Sequence, residues 1–385
     1  MFLNSLLEEN AALADVALQL IGEGAILPDT YVLDLDMIRE NAGKIASEAH
    51  ENGLESYFML KQLGRNPLVA NALADLGYCG AVCVDYREAL VMARANVPIG
   101  HVGHLVQVPR NVIKSVLSAH PDVVTVYSVE KAAELSDAAE SLGERQKVLL
   151  RVRKESDTTY PGQSAGFLLA NLEKIVTQLE RMPGIRIAGV CSFPCFLYDK
   201  SLGDFVKQPN ADTVVTAAHM LRDRGYDELQ LNMPSGNCVH ELAMVAKAGG
   251  THVEPGHGLS GTTPYHADHY GAEKPAYVYV TEVSHNADNK SYCYGGGYYR
   301  RGHLLHAAVG SSLGSTKICR VSPPLDECID YHLELEGNFP VSTSVLMCFR
   351  TQMFVTRSSV AVVKGIQSGK PELCGIWSPL GDRIS

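Results

Sequence analysis

The chain has 385 residues, of which 46% are hydrophobic and 20% are charged. This is the composition of a globular protein with room for more than one domain, and it excludes a disordered or fibrous chain. The 33 Lys and Arg against 43 Asp and Glu give a formal net charge of -10, which argues against nucleic acid as a partner. The 10 Cys include no C-x-x-C pair, so we expect neither a disulfide scaffold nor a thiolate zinc site.

The start of the sequence does not resemble a targeting segment. The first 38 residues contain no Lys or Arg, which is the opposite of an export or transit signal. No uncharged apolar run is long enough to span a bilayer. We therefore expect a cytoplasmic protein with no membrane partner.

Residues 1–30 carry apolar side chains at helical spacing, among them Leu3, Leu6, Leu13 and Leu20. This spacing predicts an N-terminal helical segment that packs at the junction of two domains.

From residue 31 onward, short β-branched runs alternate with longer segments of helical periodicity. Residues suited to N-caps precede three of the helical segments, namely Asn66, Asp85 and Ser128. The predicted strands are 55–60, 80–84, 99–106, 122–127, 147–153, 185–192, 228–232 and 251–254. Eight β-α units predict an α/β fold, a (β/α)8 TIM-like barrel over residues 31–263.

After residue 264 the pattern changes to β-branched runs among Gly, Pro and Ser turns, with no helical stripe. We predict a mostly β C-terminal domain over residues 264–385.

Residues Gly256–Gly261 match G-x-G-x-x-G, the dinucleotide-binding pattern. That motif has to open a helix after the first strand of a βαβ unit, whereas here Thr262, Thr263 and Pro264 follow the last of eight strands. The context argues against a nucleotide site.

The loops after the seventh and eighth predicted strands are better candidates for a phosphate site. They read Pro234–Asn237 and Pro255–Gly258, and glycine lets backbone N–H groups approach an anion closely. The loops at these positions of a (β/α)8 barrel often bind phosphate.

Lys61 and Glu254 end the first and last predicted strands of the barrel. On a period of two, Tyr57, Met59 and Lys61 share a face, which aims the Lys61 ammonium at the barrel mouth. Burial lowers the pKa of a lysine and suits it to form an imine. A lysine, an anion cradle and a group for a ring nitrogen are what pyridoxal 5'-phosphate requires.

With these residues, the chain resembles the fold type III pyridoxal phosphate enzymes, a family with an alanine racemase-like N-terminal barrel, and in particular the YhfX-type proteins. The resemblance covers about residues 30–385 and rests on Lys61 together with the Val253–Gly261 segment. It implies Lys61 as the Schiff-base lysine and Glu254 at the pyridine nitrogen. The cofactor-binding residues that it implies are Lys61, Arg65, Ser235, Gly236, Asn237, Glu254, Gly256 and His257.

Glu254 resembles the decarboxylases of that family, because the racemases place an arginine before the Pro-Gly turn. Other positions depart from alanine racemase: Arg65 stands where that enzyme has a tyrosine, and the segment 157–163 lacks the arginine that the enzyme uses nearby. Alanine is therefore a doubtful substrate.

The resemblance also implies a homodimer in which the β domain of one protomer completes the active site of its partner. Tyr298 or Tyr299 is then a candidate second acid or base, and Cys348 stands near where the decarboxylases have a partner-chain cysteine. Three H-x-x-H pairs raise the alternative of a metal, but they lack a firm third ligand, so we predict no metal site. The pairs are His101/His104, His266/His269 and His303/His306.

The sequence leaves three classes of function open. The first is a pyridoxal phosphate enzyme acting at the Cα of an amino acid, with racemisation or epimerisation ahead of decarboxylation and of aldolase- or dehydratase-type cleavage. The second is a non-catalytic carrier of the cofactor. The third is a metal-dependent barrel hydrolase that would use the histidine pairs.

Overall fold

The β-branched runs of the first half of the chain form a parallel barrel. The computed structural model describes residues 2–385, and its contacts group them into two compact units. One unit, which we call the barrel unit, comprises 43–60 and 70–256; the other, the β unit, comprises 2–42, 61–69 and 257–385. The predicted division at residues 30 and 263 stays a prediction.

The barrel unit contains a 10-stranded sheet in which every pairing is parallel. Glu55–Ser56 and Phe58–Met59 stand at the two ends of the strand order and flank Tyr57 in the chain, so these two segments close the sheet as one interrupted strand. The remaining strands are Ala81–Cys83, Ile99–Val102, Val123–Val126, Gln146–Arg153, Phe167–Leu168, Ile185–Cys191, Gln230–Asn232 and His252–Val253. The predicted TIM-like barrel is confirmed.

Helices connect these strands, as the helical periodicity predicts. Their bounds are Leu35–Glu51, Pro67–Ala74, Tyr86–Arg94, Ile113–Leu117, Val129–Ser141, Leu172–Leu179, Pro209–Arg222 and Val239–Lys247. The side chains of Asn66, Asp85 and Ser128 each accept a backbone N–H at 3.0–3.2 Å from residues two or three positions later. These contacts satisfy N–H groups that the first turn of a helix leaves without partners. A separate hairpin joins Phe196–Asp199 to Asp204–Lys207.

The interior of the barrel is a packed core. Tyr57 lies in a buried cluster whose other members are Met59, Val82, Val123, Leu149 and Cys191. A Cβ atom on Gly100 would lie 2.2 Å from Cδ1 of Tyr57, so only glycine leaves room for this ring. Functional groups are therefore expected at the strand ends, beyond the packed layer.

The β unit contains a nine-stranded, mostly antiparallel sheet. Six of its strands each pair with two others of the six and so form a closed ring: Tyr277–Ala287, Lys290–Tyr294, His306–Val309, Lys317–Ser322, His332–Glu336 and Ser344–Met347. Thr30–Asp34, Ser359–Lys364 and Glu372–Trp377 extend the sheet from Tyr277–Ala287. The prediction of a mostly β C-terminal domain is confirmed.

The N-terminal residues form two helices, Phe2–Glu9 and Ala11–Gly22, and these pack on the sheet of the β unit. The predicted packing of this segment at a domain junction stays a prediction. Leu6 and Leu13 share a buried cluster with Val278 and Leu346. Short 3-10 helices complete the chain at Lys61–Leu63, Arg110–Val112, Leu169–Asn171, Gly258–Ser260, Tyr265–Ala267, Leu313–Ser315 and Met353–Val355. Across residues 2–385, no helix has the length and apolar character needed to cross a membrane.

Candidate active site

Glu254 follows the last barrel strand, His252–Val253, and its side chain is fully buried. Oε1 lies 2.5 Å from Nδ1 of His101 and accepts a hydrogen bond from Nδ2 of Asn232 at 2.8 Å. Oε2 is also buried, and none of residues 2–385 offers it a hydrogen bond. One oxygen of this carboxylate is thus fixed, and the other is available to a ligand.

The electrostatics of this group favour the carboxylate form. Burial is the largest influence and would raise the pKa of Glu254. Attraction to His101 and the hydrogen bond from it, with further contributions from His104 and Asn232, outweigh burial and lower the pKa to about 2. Glu254 is therefore ionised at neutral pH.

Arg151 lies on the strand Gln146–Arg153, two positions after the interior residue Leu149, and is buried. Its guanidinium donates to the carbonyl of His104 at 3.2 Å, to the hydroxyl of Tyr127 at 3.1 Å and to the carbonyl of Gln163 at 2.7 Å. It also lies over the Tyr127 ring at 5.1 Å. An arginine therefore does contact the segment 157–163, which has no arginine of its own, because Arg151 reaches it from the preceding strand.

The loop Pro234–Asn237, predicted to cradle a phosphate, holds its own carboxylate in the structure. The backbone N–H of Asn237, whose φ is +45°, donates to Oε2 of Glu241, the third residue of the helix Val239–Lys247. The Asn237 side chain accepts the N–H of Ser235 at 3.2 Å and that of Glu254 at 2.8 Å. The hydroxyl of Ser235 donates to the carbonyl of Phe196 at 2.5 Å.

Gly236 approaches Glu241 as well, since a Cβ there would lie 2.9 Å from Oε2 of Glu241. Burial raises the pKa of Glu241 to about 7, against the lowering effect of hydrogen bonds from Asn237, Ser235 and Gly236. The loop is thus built for an anion, and Glu241 faces it. The predicted contacts of Ser235, Gly236 and Asn237 with phosphate stay predictions.

In the β unit, Lys61 begins the 3-10 helix Lys61–Leu63 and is half-buried. The strand ends at Met59, one residue before its predicted end, and the chain turns, so the expected place of Lys61 on the alternating face of that strand is wrong. The turn continues through Gly64, where φ is +68° and a Cβ would lie 2.8 Å from Cγ2 of Val360. Lys61–Leu63 packs against a second 3-10 helix, Met353–Val355.

Arg65 is 1% exposed, although an arginine is seldom buried. Its guanidinium carbon lies 4.8 Å from the ring centroid of Phe354, at cation–π distance. Its φ of +51° lies in the left-handed region, which a residue with a side chain rarely adopts. The structure therefore fixes Arg65 tightly, while its predicted contact with a phosphate or a substrate carboxylate stays a prediction.

His257 is buried in the β unit beside Arg350 and Gln352. Its Nε2 accepts a hydrogen bond from Nε of Arg350 at 3.1 Å and lies 3.2 Å from Nε2 of Gln352. Burial, and then the positive charges of Arg350 and Lys61, hold the pKa of His257 well below its usual range. A neutral ring that accepts at Nε2 carries its proton on Nδ1, and Nδ1 has no partner within residues 2–385. This buried donor suits an anionic ligand such as phosphate.

The three residues predicted from the β domain lie in different environments. Tyr298 and Tyr299 are half-buried in the turn after Gly297, and burial raises the pKa of Tyr298. Cys348 belongs to the hydrophobic core and donates weakly to the carbonyl of Tyr277 at 3.6 Å. Burial raises the pKa of its thiol, as expected for an unreactive cysteine in a hydrophobic core. Catalytic roles for these residues stay predictions.

Among residues 2–385, no group of three or more His, Cys, Asp or Glu is arranged to hold a metal ion. In the first H-x-x-H pair, His101 contacts Glu254 and Thr125. In the second, His266 contacts Thr263 and Glu273.

Comparison with known proteins places the chain in a family. Residues 33–264 match the model of the alanine racemase N-terminal domain, and residues 278–373 match that of the YhfX-like C-terminal domain. The protein YhfX of Escherichia coli strain K12, described as uncharacterized, is 44% identical over 388 residues, which cover 100% of both chains. The chain belongs to the YhfX family of alanine racemase-like proteins. The resemblance stated from the sequence is thereby confirmed.

Solved structures share the fold of this YhfX-family protein at low identity. D-threonine aldolase from Filomicrobium marinum superposes with a TM-score of 0.70 at 16% identity, covering 92% of this chain and 94% of that one. Alanine racemase from Clostridium difficile 630 gives a TM-score of 0.65 at 14% identity, covering 92% and 99%. A D-threo-3-hydroxyaspartate dehydratase from Delftia sp. HT23 and a diaminopimelate decarboxylase from M. jannaschii also match.

The cofactor implied by this family is pyridoxal 5'-phosphate. The residues present fit that group. Glu254 offers a buried, ionised oxygen for a ring nitrogen, and His257 offers a buried N–H donor for a phosphate. Sequence reasoning had identified both residues. It had named His101 only as part of an H-x-x-H pair and not as the partner of Glu254, and it missed Asn232 and Arg151.

Proposed function

We propose that the protein is a pyridoxal 5'-phosphate-dependent enzyme that acts at the Cα of an amino acid, with Lys61 holding the cofactor through Nζ. The observation that carries this proposal is the Glu254 carboxylate, which is buried and ionised and has one oxygen without a hydrogen-bond partner among residues 2–385. A buried carboxylate of this kind is costly unless it serves a cation or a donor. A protonated ring nitrogen is such a donor.

When bound, the cofactor supplies an electron sink for the electron pair left at Cα when one of its bonds breaks. Glu254 would hold a proton on the ring nitrogen, which strengthens that sink. His257 would donate from Nδ1 to the phosphate, and Arg65 would add a fixed positive charge for the phosphate or for the substrate carboxylate. Gly256 and the loop Ser235–Asn237 are proposed as further phosphate contacts.

Within this class we propose racemisation or epimerisation as the leading reaction. Such a reaction needs a proton donor or acceptor on each face of Cα. Lys61 would serve one face, and Tyr298 or Tyr299 of a second copy of the chain would serve the other. The proposal therefore includes a homodimer.

A second reaction class is supported by one specific observation. An ionised Glu254 would hold a proton on the ring nitrogen, which is the arrangement that the resemblance implies for the decarboxylases of this fold, so decarboxylation or aldolase- or dehydratase-type cleavage is the second candidate. Which bond breaks depends on how the substrate is oriented in the pocket.

The experiment is a screen of D- and L-amino acids in D2O with the reconstituted protein and with Lys61→Ala. Exchange of the Cα proton with loss of chirality supports a racemase, while release of CO2, an aldehyde or ammonia supports the second class. Lys61→Ala should abolish either activity. A protein that binds the cofactor but catalyses no exchange or cleavage across the screen contradicts the enzyme proposal and indicates a carrier.

A further inference from the structure

A chain of three buried side chains runs through the barrel unit from Thr125 to His101 to Glu254. Nε2 of His101 lies 2.5 Å from Oγ1 of Thr125, and Nδ1 lies 2.5 Å from Oε1 of Glu254. Asn232 donates to the same carboxylate oxygen at 2.8 Å. The side chains of His101 and Glu254 are 0% exposed. Because both side chains are shielded from bulk solvent, the electrostatic effect of these contacts is large.

The hydroxyl group of Thr125 can either donate a hydrogen bond to Nε2 of His101 or accept one from it, so it is compatible with a neutral and with a protonated ring. When the ring is neutral and carries its proton on Nδ1, Nε2 accepts a hydrogen bond from the hydroxyl group of Thr125. In the protonated ring, Nε2 donates to the same oxygen, and the hydroxyl can turn to Sγ of Cys191 at 3.5 Å. In both states Nδ1 donates to Glu254. The contact with Oε1 is therefore kept whether or not His101 is charged.

We propose that His101 is a positioning residue for Glu254: it fixes Oε1 and so leaves Oε2 as the ionised acceptor for the ring nitrogen of the cofactor. This inference rests on the proposed function and extends it, because it assigns control of the protonation state of that ring to His101.

The physical reason is a balance between burial and His101. Burial alone would raise the pKa of Glu254, and the charge and hydrogen bond of His101 are the largest opposing influences. Without His101, Glu254 would hold a proton itself and would no longer draw one onto the ring nitrogen. The electron sink would then weaken, and it would depend on pH.

The other ionisable groups around the pair do not replace His101. His104 adds a smaller attraction for Glu254. Burial lowers the pKa of His252 to about 4, so that ring is neutral at pH 7. Burial raises the pKa of Cys191 to about 12, so its thiol is neutral as well, and Arg151 donates to His104, Tyr127 and Gln163.

The test compares the holoenzyme with two His101 variants. His101→Leu removes both the charge and the hydrogen bond, whereas His101→Asn keeps an N–H donor. His120→Asn is the matched control, because His120 is an exposed histidine outside the site whose φ of +50° asparagine tolerates. The readouts are the absorption spectrum of the bound cofactor at several pH values around neutrality and the dissociation constant of the cofactor.

We expect the wild-type and His120→Asn spectra to be constant with pH. In His101→Leu the spectrum should change with pH, and the cofactor should bind about tenfold more weakly, by analogy with the loss of metal affinity when a residue that orients a metal ligand is removed. His101→Asn, which keeps an N–H donor but not the charge, should restore the wild-type behaviour in part. If His101→Leu does not fold, the nearly isosteric Thr125→Val tests the same contacts, and it should shift the spectrum in the same direction by a smaller amount.

A His101→Leu or Thr125→Val holoenzyme with a wild-type spectrum at every pH and unchanged affinity would overturn the inference while leaving the proposed function intact. A wild-type protein that binds no cofactor would overturn the proposed function, and this inference with it.

Discussion

Glu241 is the carboxylate that faces the predicted phosphate loop, and its replacement by glutamine gives a sharp test of that geometry. Burial raises its pKa from the ordinary value of 4.5 to about 7. The carboxyl group of Glu241 therefore binds its proton more tightly in the folded protein than in the unfolded chain. The contribution of Glu241 to stability is fully present below pH 4.5 and is lost as the pH rises to about 7.

The magnitude follows from the difference 7 - 4.5 = 2.5 pKa units. At roughly 1.4 kcal/mol for each unit, the full loss is about 3.5 kcal/mol in the free energy of unfolding, of which about 3 kcal/mol falls between pH 4 and pH 8. Glu241→Gln cannot ionise and does not show this loss. The difference in free energy of unfolding, wild type minus Glu241→Gln, should therefore fall by about 3 kcal/mol between pH 4 and pH 8.

Urea unfolding at four or five pH values measures this difference, and Glu155→Gln, at an exposed glutamate, is the control. The same pair of proteins tests the phosphate loop. If phosphate uses the N–H groups that face Glu241, wild-type affinity for the cofactor should drop above pH 7, and affinity in Glu241→Gln should not. A difference in unfolding free energy that is independent of pH would refute the reasoning.

Two further predictions test the barrel core and the surroundings of His257. Gly100→Ala should cost about 1–3 kcal/mol of unfolding free energy, because its Cβ would meet the ring of Tyr57 at 2.2 Å. Gly43 is the control, because it lies in a helix and no atom lies within 4 Å of the Cβ that alanine would add. Gly43→Ala should stabilise the folded protein by roughly 0.5–1 kcal/mol. If urea unfolding gave the same change in free energy for Gly100→Ala and Gly43→Ala, the packing around Tyr57 described above would be wrong. Arg350→Leu should raise the pKa of His257, since it removes a nearby positive charge, and NMR titration of the histidine rings should show the change; an unmoved pKa would rule out that cause.

Much of the fold was predictable because its signals are local. Strand runs and N-caps such as Asn66 act within a few residues, and the structure places strands and caps where these patterns predict them. The end of the first strand was not predictable in this way. Lys61 continues the alternation of Tyr57 and Met59, yet the turn through Gly64 places it in a 3-10 helix.

The site was predictable only one residue at a time. Glu254 stands out because it precedes a Pro-Gly turn, but its partner His101 is 153 residues away in the chain. A single sequence carries no signal for that pairing. Arg151 could have been found, because it follows the interior residue Leu149 by two positions on one strand. Glu241, three residues into a helix after a polar turn, matches the position of a capping-box glutamate.

The most direct test of the central claim is covalent trapping of the cofactor on Lys61. The protein reconstituted with pyridoxal 5'-phosphate is reduced with borohydride, digested and analysed by peptide mass spectrometry, in parallel with Lys61→Ala and with Lys200→Ala, a surface lysine, as control. We predict one modified peptide, carrying the cofactor on Lys61, that is absent in Lys61→Ala and unchanged in Lys200→Ala. Modification spread over surface lysines, or equal labelling in Lys61→Ala, would contradict the assignment.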